Sequence, residues 1–193
     1  MPRAPRFTRE QITRTAFDIV RREGAAALTA RSLAHELGCS VKPIFGLFAN
    51  MDDVQQSVWE EANAYYADHL RASMDSGRWP RYMASGMGYI TFAKTEPHLF
   101  SMLFMCDQSR EQRERMERQL QPIIELIAQQ LGVDTRTATA FHMQMWIHVH
   151  GIASMIVTHY LDWDEQHIVD ALTMEFHALS ATIANQQGSG GAQ

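Results

Sequence analysis

The stretch "LAHELGCSVKPIFGLF", residues 33–48, decides the reading of the chain. Helix-forming residues lead into Gly38, and only "GCS" separates them from a second helical segment that Ser40 is placed to cap. That punctuation predicts two short helices meeting at a sharp corner. Leu33, Leu37, Ile44, Leu47 and Phe48 are available to pack the corner, and Ala34 is small where two helices must cross closely. At about 100° per residue the second helix turns Val41, Ile44, Leu47 and Phe48 inward, Lys42 and Gly46 outward, and Phe45 to the flank. Pro43 falls in the first turn, where its missing N–H costs no helical bond. A small residue at the crossing, a turn glycine and a β-branched residue on the second helix make a helix-turn-helix pattern. An ordinary helical corner is the alternative, and these sixteen positions alone leave both open.

Working outward, "FTREQI" announces the preceding helix: Thr8 and Gln11 have capping-box spacing, and Phe7 is placed to staple onto Ile12. Ile12, Ala16, Ile19 and Val20 form one apolar stripe, Arg21 and Arg22 suit the last turn, and Gly24 is placed as a left-handed cap. Thr29 is placed to cap the helix that opens with "ARSL". Beyond the corner the spacing predicts helices over 52–76, 80–95, 97–105, 113–131, 135–160 and 164–185, with "SGRWP" as a breaker. No run alternates as a strand does, so the fold class is all-α. The tail "GSGGAQ", residues 188–193, is expected to be flexible.

Charge is unevenly distributed. Residues 1–50 hold 8 Lys and Arg against 4 Asp and Glu, net +4, whereas the remainder holds 9 against 18, net −9. A basic head on an acidic body suggests that only the head meets a polyanion. "SREQRERMERQLQP", residues 109–122, looks basic until Glu111, Glu114 and Glu117 are counted; interleaved signs indicate a solvated helix face.

Other classes are disfavoured. Cys39 and Cys106 make neither a disulfide framework nor a C-x-x-C pair, and "MPRAPRFTRE" has no apolar signal segment, so a reducing cytoplasm is expected. Residues 137–161 carry no Asp, Glu, Lys or Arg, but His142, Gln144, His148, His150 and His159 interrupt them, which argues against a membrane span. The nine histidines include no pair three or four residues apart, so no one helix offers two ligands to a metal, and no metal or other cofactor is expected. There is no nucleophile elbow, no Gly-rich phosphate loop and no H-E-x-x-H, so catalysis is not expected.

Residues 7–59, from the first helix through "GAAALTARSLAHELGCS" to "KPIFGLFANMDDV", resemble the N-terminal DNA-binding domain of TetR/AcrR-type transcriptional regulators. The resemblance implies a three-helix head over 1–50, a ligand-binding and dimerisation body of about six helices over 51–187, and a homodimer bound to double-stranded operator DNA. It implies DNA contacts at Thr29, Arg31, Ser40, Lys42, Phe45 and Gly46, with Arg3 and Arg6 in an arm. Phe45 stands where the family usually has a tyrosine whose hydroxyl meets phosphate, and Met51 replaces a common lysine. The function implied is a repressor released by a small organic effector. The alternative is a ligand-binding or protein-interaction module of the same fold with weakened DNA contacts.

"MWIHVHGIASMI" resembles the W-x-x-x-H-G element of part of that family. On the uncharged helix His142, Trp146, His150, Ala153 and Val157 share one face, and Met145, His148, Ile152, Ile156 and His159 nearly the opposite one. A helix apolar on both sides is buried on both, so one face is expected to line a pocket and the other to meet neighbouring helices or a second subunit. Phe104, His142, Trp146 and His150 are the expected ligand contacts, for an organic and partly apolar molecule.

Overall fold

The computed structural model describes residues 7–190, with side chains as far as Asn185. Arg3, Arg6 and residues 191–193 lie outside the described residues. Those described fold as helices α1 (Arg9–Glu23), α2 (Ala30–Glu36), α3 (Lys42–Phe45), α4 (Met51–Asp75), α5 (Arg81–Thr95), α6 (Pro97–Phe104), α7 (Arg110–Leu131), α8 (Thr135–Val157) and α9 (Glu165–Gly190). A 3-10 turn, Ala25–Ala27, precedes α2, and no strand occurs among the described residues. The all-α class therefore holds, with three helices in the head and six after it.

The chain packs as two compact units. The first joins residues up to His69 with Thr95–Cys106, and so combines α1 to α3, most of α4, and α6. Its core is the stripe expected on α1, with Ile12, Ala16 and Val20 fully buried, together with Leu33, Ile44, Val54 and Val58. The capping box at Thr8 is formed in both directions, Gln11 N–H to Thr8 Oγ1 at 3.2 Å and Thr8 N–H to Gln11 Oε1 at 2.9 Å. Gly24 closes α1 at φ 88° and ψ 165°, outside the left-handed helical well that its sequence position suggested. Glycine is needed there twice over, because a Cβ would also stand 3.2 Å from the His98 ring.

The second unit comprises Leu70–Lys94 and the chain from Asp107 onward. Tyr82, Ile124, Ile127, Phe141 and Met145 form its inner cluster, against which Leu70, Leu120 and Phe176 pack. The end of α4 runs close to α5 at Gly88, where an added Cβ would lie 2.9 Å from Ser73 Cβ. Ser73 Oγ donates to the Ala84 carbonyl at 2.7 Å along the same seam.

Beyond the corner, three helix ends differ from the sequence reading by three residues or more. Helix α7 begins at Arg110 rather than Arg113, because Ser109 and Gln112 form a capping box. Helix α8 stops at Val157, after which His159 takes φ 57° and Tyr160 N–H returns to the Met155 carbonyl at 2.8 Å. Helix α9 continues to Gly190, through the first three residues of the expected flexible tail.

Candidate functional site

The corner itself is built largely as its spacing implies. Thr29 caps α2, its Oγ1 accepting from Ser32 N–H at 3.1 Å, while Ser32 Oγ accepts from Thr29 N–H at 2.9 Å. Gly38 turns the chain at φ 60°, a left-handed conformation that a side chain would strain, and Cys39 N–H returns to the Ala34 carbonyl at 2.9 Å. Ala34, Leu33, Ile44 and Phe48 are buried at the crossing.

Helix α3 departs from the expectation at its start. Val41, not Ser40, occupies the N-cap, and no side chain caps the helix. The reason lies in the bonding: the Val41 carbonyl already accepts from Ile44 N–H at 3.1 Å and Phe45 N–H at 3.3 Å, which leaves Ser40 one residue too early. Val41 is therefore 38% exposed instead of inward. After a single α turn, Leu47 and Phe48 N–H groups both return to the Ile44 carbonyl at 3.0 Å.

All six residues expected to meet DNA, Thr29, Arg31, Ser40, Lys42, Phe45 and Gly46, are exposed. Gly46 has φ −79° and ψ −17°, and an added Cβ would meet only its own helix's carbonyl oxygens, the nearer at 3.4 Å. Any residue adopts that conformation, so the fold does not demand glycine there.

An arginine that the sequence reading did not single out holds this surface. Arg9 on α1 donates to the Leu47 carbonyl at 2.9 Å, to Asp53 Oδ2 at 3.2 Å and to Ser57 Oγ at 3.0 Å, and its guanidinium lies 4.0 Å from the Phe48 ring centroid. Asp53 also accepts from Ala49 N–H at 3.0 Å, so the segment leaving α3 is tied to α1 and to the first turn of α4. The Arg9 hydrogen bonds and then the Ala49 N–H hold the Asp53 carboxyl below its ordinary 3.8. On the same unit Arg21 joins α1 to α6 through Glu96, at 2.8 Å from Nε, and Tyr65 O–H donates to Glu96 at 3.1 Å. Arg9 and Asp53 stand 44 residues apart, and no local pattern announces such a pair.

In the second unit α8 is lined on one side by two tyrosines of α5. Tyr82 Oη lies 3.2 Å from His142 Nδ1, and Tyr89 Oη lies 2.8 Å from His150 Nδ1. The Trp146 ring stacks on His150, with centroids 5.0 Å apart and planes at 19°. Burial holds both imidazoles below the ordinary 6.5, hence neutral near neutrality. His142 Nε2 is buried without a hydrogen-bond partner. His142, Trp146 and His150 are thus brought together, whereas Phe104 belongs to the first unit, its ring 5.0 Å from Tyr66 and 5.2 Å from Phe100. The spacings were in the sequence, Tyr82 to Tyr89 at seven residues and His142 to His150 at eight, but the pairing of α5 with α8 was not.

Helix α8 has a third side that the two-faced reading missed. Met145, Ile152 and Ile156 are buried within the chain, while Met143, Ile147 and Met155 are exposed, Ile147 by 55%. Nothing lies within 4 Å of a Cβ built on Gly151, in the same row. Among the described residues no group of three His, Cys, Asp or Glu is placed to hold a metal, and no helix is long and apolar enough to cross a membrane.

A helical corner with one exposed turn, followed along the chain by further helices, is a helix-turn-helix arrangement in an all-α protein. The profile of the family "Tetracyclin repressor-like, C-terminal domain" matches residues 82–179. A protein of unknown function from Rhodococcus sp. RHA1 is similar in structure, with a TM-score of 0.69, 17% identity, and coverage of 94% of this chain and 98% of that one. A TetR-family member from Streptomyces coelicolor A3 gives 0.61 and 20% identity, covering 86% and 96%. A TetR family protein from Vibrio parahaemolyticus gives 0.60 and 14%, covering 90% and 96%. No curated protein is detectably similar in sequence. The chain belongs to the TetR/AcrR family of transcriptional regulators.

Proposed function

We propose that this regulator is a homodimeric, cytoplasmic repressor that binds operator DNA through α3 and leaves it when a small organic effector binds the second unit. Residues 1–50 serve as the DNA-binding domain and 51–187 as the ligand-binding and dimerisation domain. The observation that carries the reading is the outward side of α3. Lys42 and Gly46 are exposed there, opposite Ile44 and Phe48 at 0% and 2%, and glycine has no role in the fold at that position. A lysine beside a bare backbone suits a major groove, where close approach and phosphate neutralisation set affinity. Thr29, Arg31, Ser40 and Phe45 surround it.

Dimerisation is supported by the row Met143, Ile147, Gly151 and Met155 on α8 and by Met174 on α9, which is 69% exposed. Large apolar side chains repeated along helices favour a second apolar surface. An effector site is supported by the unpartnered His142 Nε2, since a buried unmade hydrogen bond costs about 1–3 kcal/mol and a ligand hydroxyl relieves it. Trp146 and His150 supply the flat apolar wall. An effector favouring the unbound geometry must lower DNA affinity, because the coupling is reciprocal.

The test is binding of the full-length protein to DNA fragments around its own gene, at two salt concentrations, beside an unrelated fragment. The proposal expects salt-sensitive binding stronger than to the control. Equal or absent binding on every fragment would favour a protein whose DNA contacts are lost.

A further inference from the structure

The exposed side of α3 carries two rows. Gly46 N–H donates to the Lys42 carbonyl at 3.1 Å and Phe45 N–H to the Val41 carbonyl at 3.3 Å, so Lys42 with Gly46 and Val41 with Phe45 are adjacent pairs one turn apart. Ile44 and Phe48 fill the inward side. The second row is apolar and open to solvent, with Val41 38% and Phe45 43% exposed. No other aromatic ring contacts Phe45 among the described residues.

Resting on the reading of α3 as the recognition helix, we propose that Val41 and Phe45 read thymine. They form an apolar contact for thymine C5-methyl groups, so each operator half-site carries thymine at the base step this row faces. A phenyl ring and an isopropyl group have neither donor nor acceptor for a phosphate or a polar base edge. The thymine methyl is the apolar group on the floor of the major groove. Charge complementarity brings the row to that floor: Lys42 lies beside it, and the first 50 residues carry net +4. Gly46, directly after Phe45, removes the side chain that would hold the backbone off the bases. A protein partner fits the patch less well. Two side chains beside an exposed lysine are small against the roughly 800 Å² per partner of a stable protein interface.

The experiment replaces each thymine of the operator, once narrowed by footprinting, with deoxyuridine. That removes the C5-methyl and leaves every hydrogen-bonding group in place. Full-length wild-type protein is expected to lose about fourfold in affinity for each methyl at one symmetric pair of positions. Phe45→Ala, checked for unchanged thermal unfolding, is expected to bind thymine and deoxyuridine operators alike, and Val41→Ala to shrink the difference. Selective operator binding by the wild type that ignores every such replacement would overturn the inference, as would Phe45→Ala retaining the full methyl dependence. Failure to prefer any DNA fragment would overturn the recognition-helix reading itself, and is thereby distinguished from failure of the thymine contact.

Discussion

In the first unit charged side chains tie the helices together: Arg9 reaches Leu47, Asp53 and Ser57, and Arg21 reaches Glu96. In the second, the long helix α8 carries no Asp, Glu, Lys or Arg after Arg136, and its polar contacts to α5 include two neutral Tyr–His pairs. The contrast fits the proposed function. Arg9 and Arg21 are engaged by partners within the unit, and Lys42 is the exposed cation of the α3 turn, where the proposed function places a phosphate contact. The buried side of α8, which carries no charge, presents hydrogen-bonding atoms at low desolvation cost, which suits the proposed organic ligand more than an ion.

The largest expected effect tests how tightly the second unit is packed. Gly88→Val puts branched carbons where a Cβ alone would stand 2.9 Å from Ser73 Cβ, and thermal unfolding should show a loss of about 3 kcal/mol. An unchanged melting temperature would mean that the α4–α5 seam yields easily. Next comes the first unit's ion pair. Arg21→Ala leaves Glu96, which is 8% exposed, without its cation and with Tyr65 O–H still donating, and should cost about 2 kcal/mol, reduced from a fully buried pair because the Arg21 side chain is 42% exposed. Glu96→Gln, which keeps Tyr65 as a partner, should cost less.

The pH response separates the units further. His142 and His150 stay neutral in the fold below the ordinary 6.5, so the unfolded chain takes up protons first as the pH falls. Stability conferred by neutral burial is complete well above that value, declines as the pH drops through it, and levels off below the folded values. Melting curves between about pH 8 and pH 5 should show the decline, and His142→Phe should reduce it. Asp53 behaves differently: its carboxylate contribution is complete above 3.8 and is lost only as the pH falls through its lower folded value. Hydrogen-exchange protection around Ala49 and Asp53, corrected for the pH dependence of intrinsic exchange, should therefore be unaffected over the histidine range. The smallest effect is at His159, whose φ of 57° favours glycine; His159→Gly should stabilise by about 1 kcal/mol.

Local signals carried much of this fold. Thr8 with Gln11 and the apolar stripe on α1 placed the first helix, and Gly38 placed the corner, because caps and periodicity act within a few residues. What the sequence did not disclose is long-range. The Arg9 clamp spans 44 residues, and the Tyr82–His142 and Tyr89–His150 pairs span 60 and 61. Such contacts depend on which helices become neighbours. The exposed row on α8 was missed for a related reason: periodicity shows which residues share a side, not which side the rest of the chain covers. Val41 was misplaced by one turn boundary, since Ser40 looked like a cap and the backbone bonds begin one residue later.

The most direct measurement of the central claim uses Gly46→Ala. The fold accepts a Cβ there, so its melting temperature should equal or slightly exceed that of the wild type. If α3 faces the groove with its backbone close to the bases, affinity for the operator should fall by about tenfold or more while the weak, salt-sensitive binding to unrelated DNA persists. Operator affinity equal to that of the wild type, in a variant that folds normally, would contradict the placement of α3 in the groove.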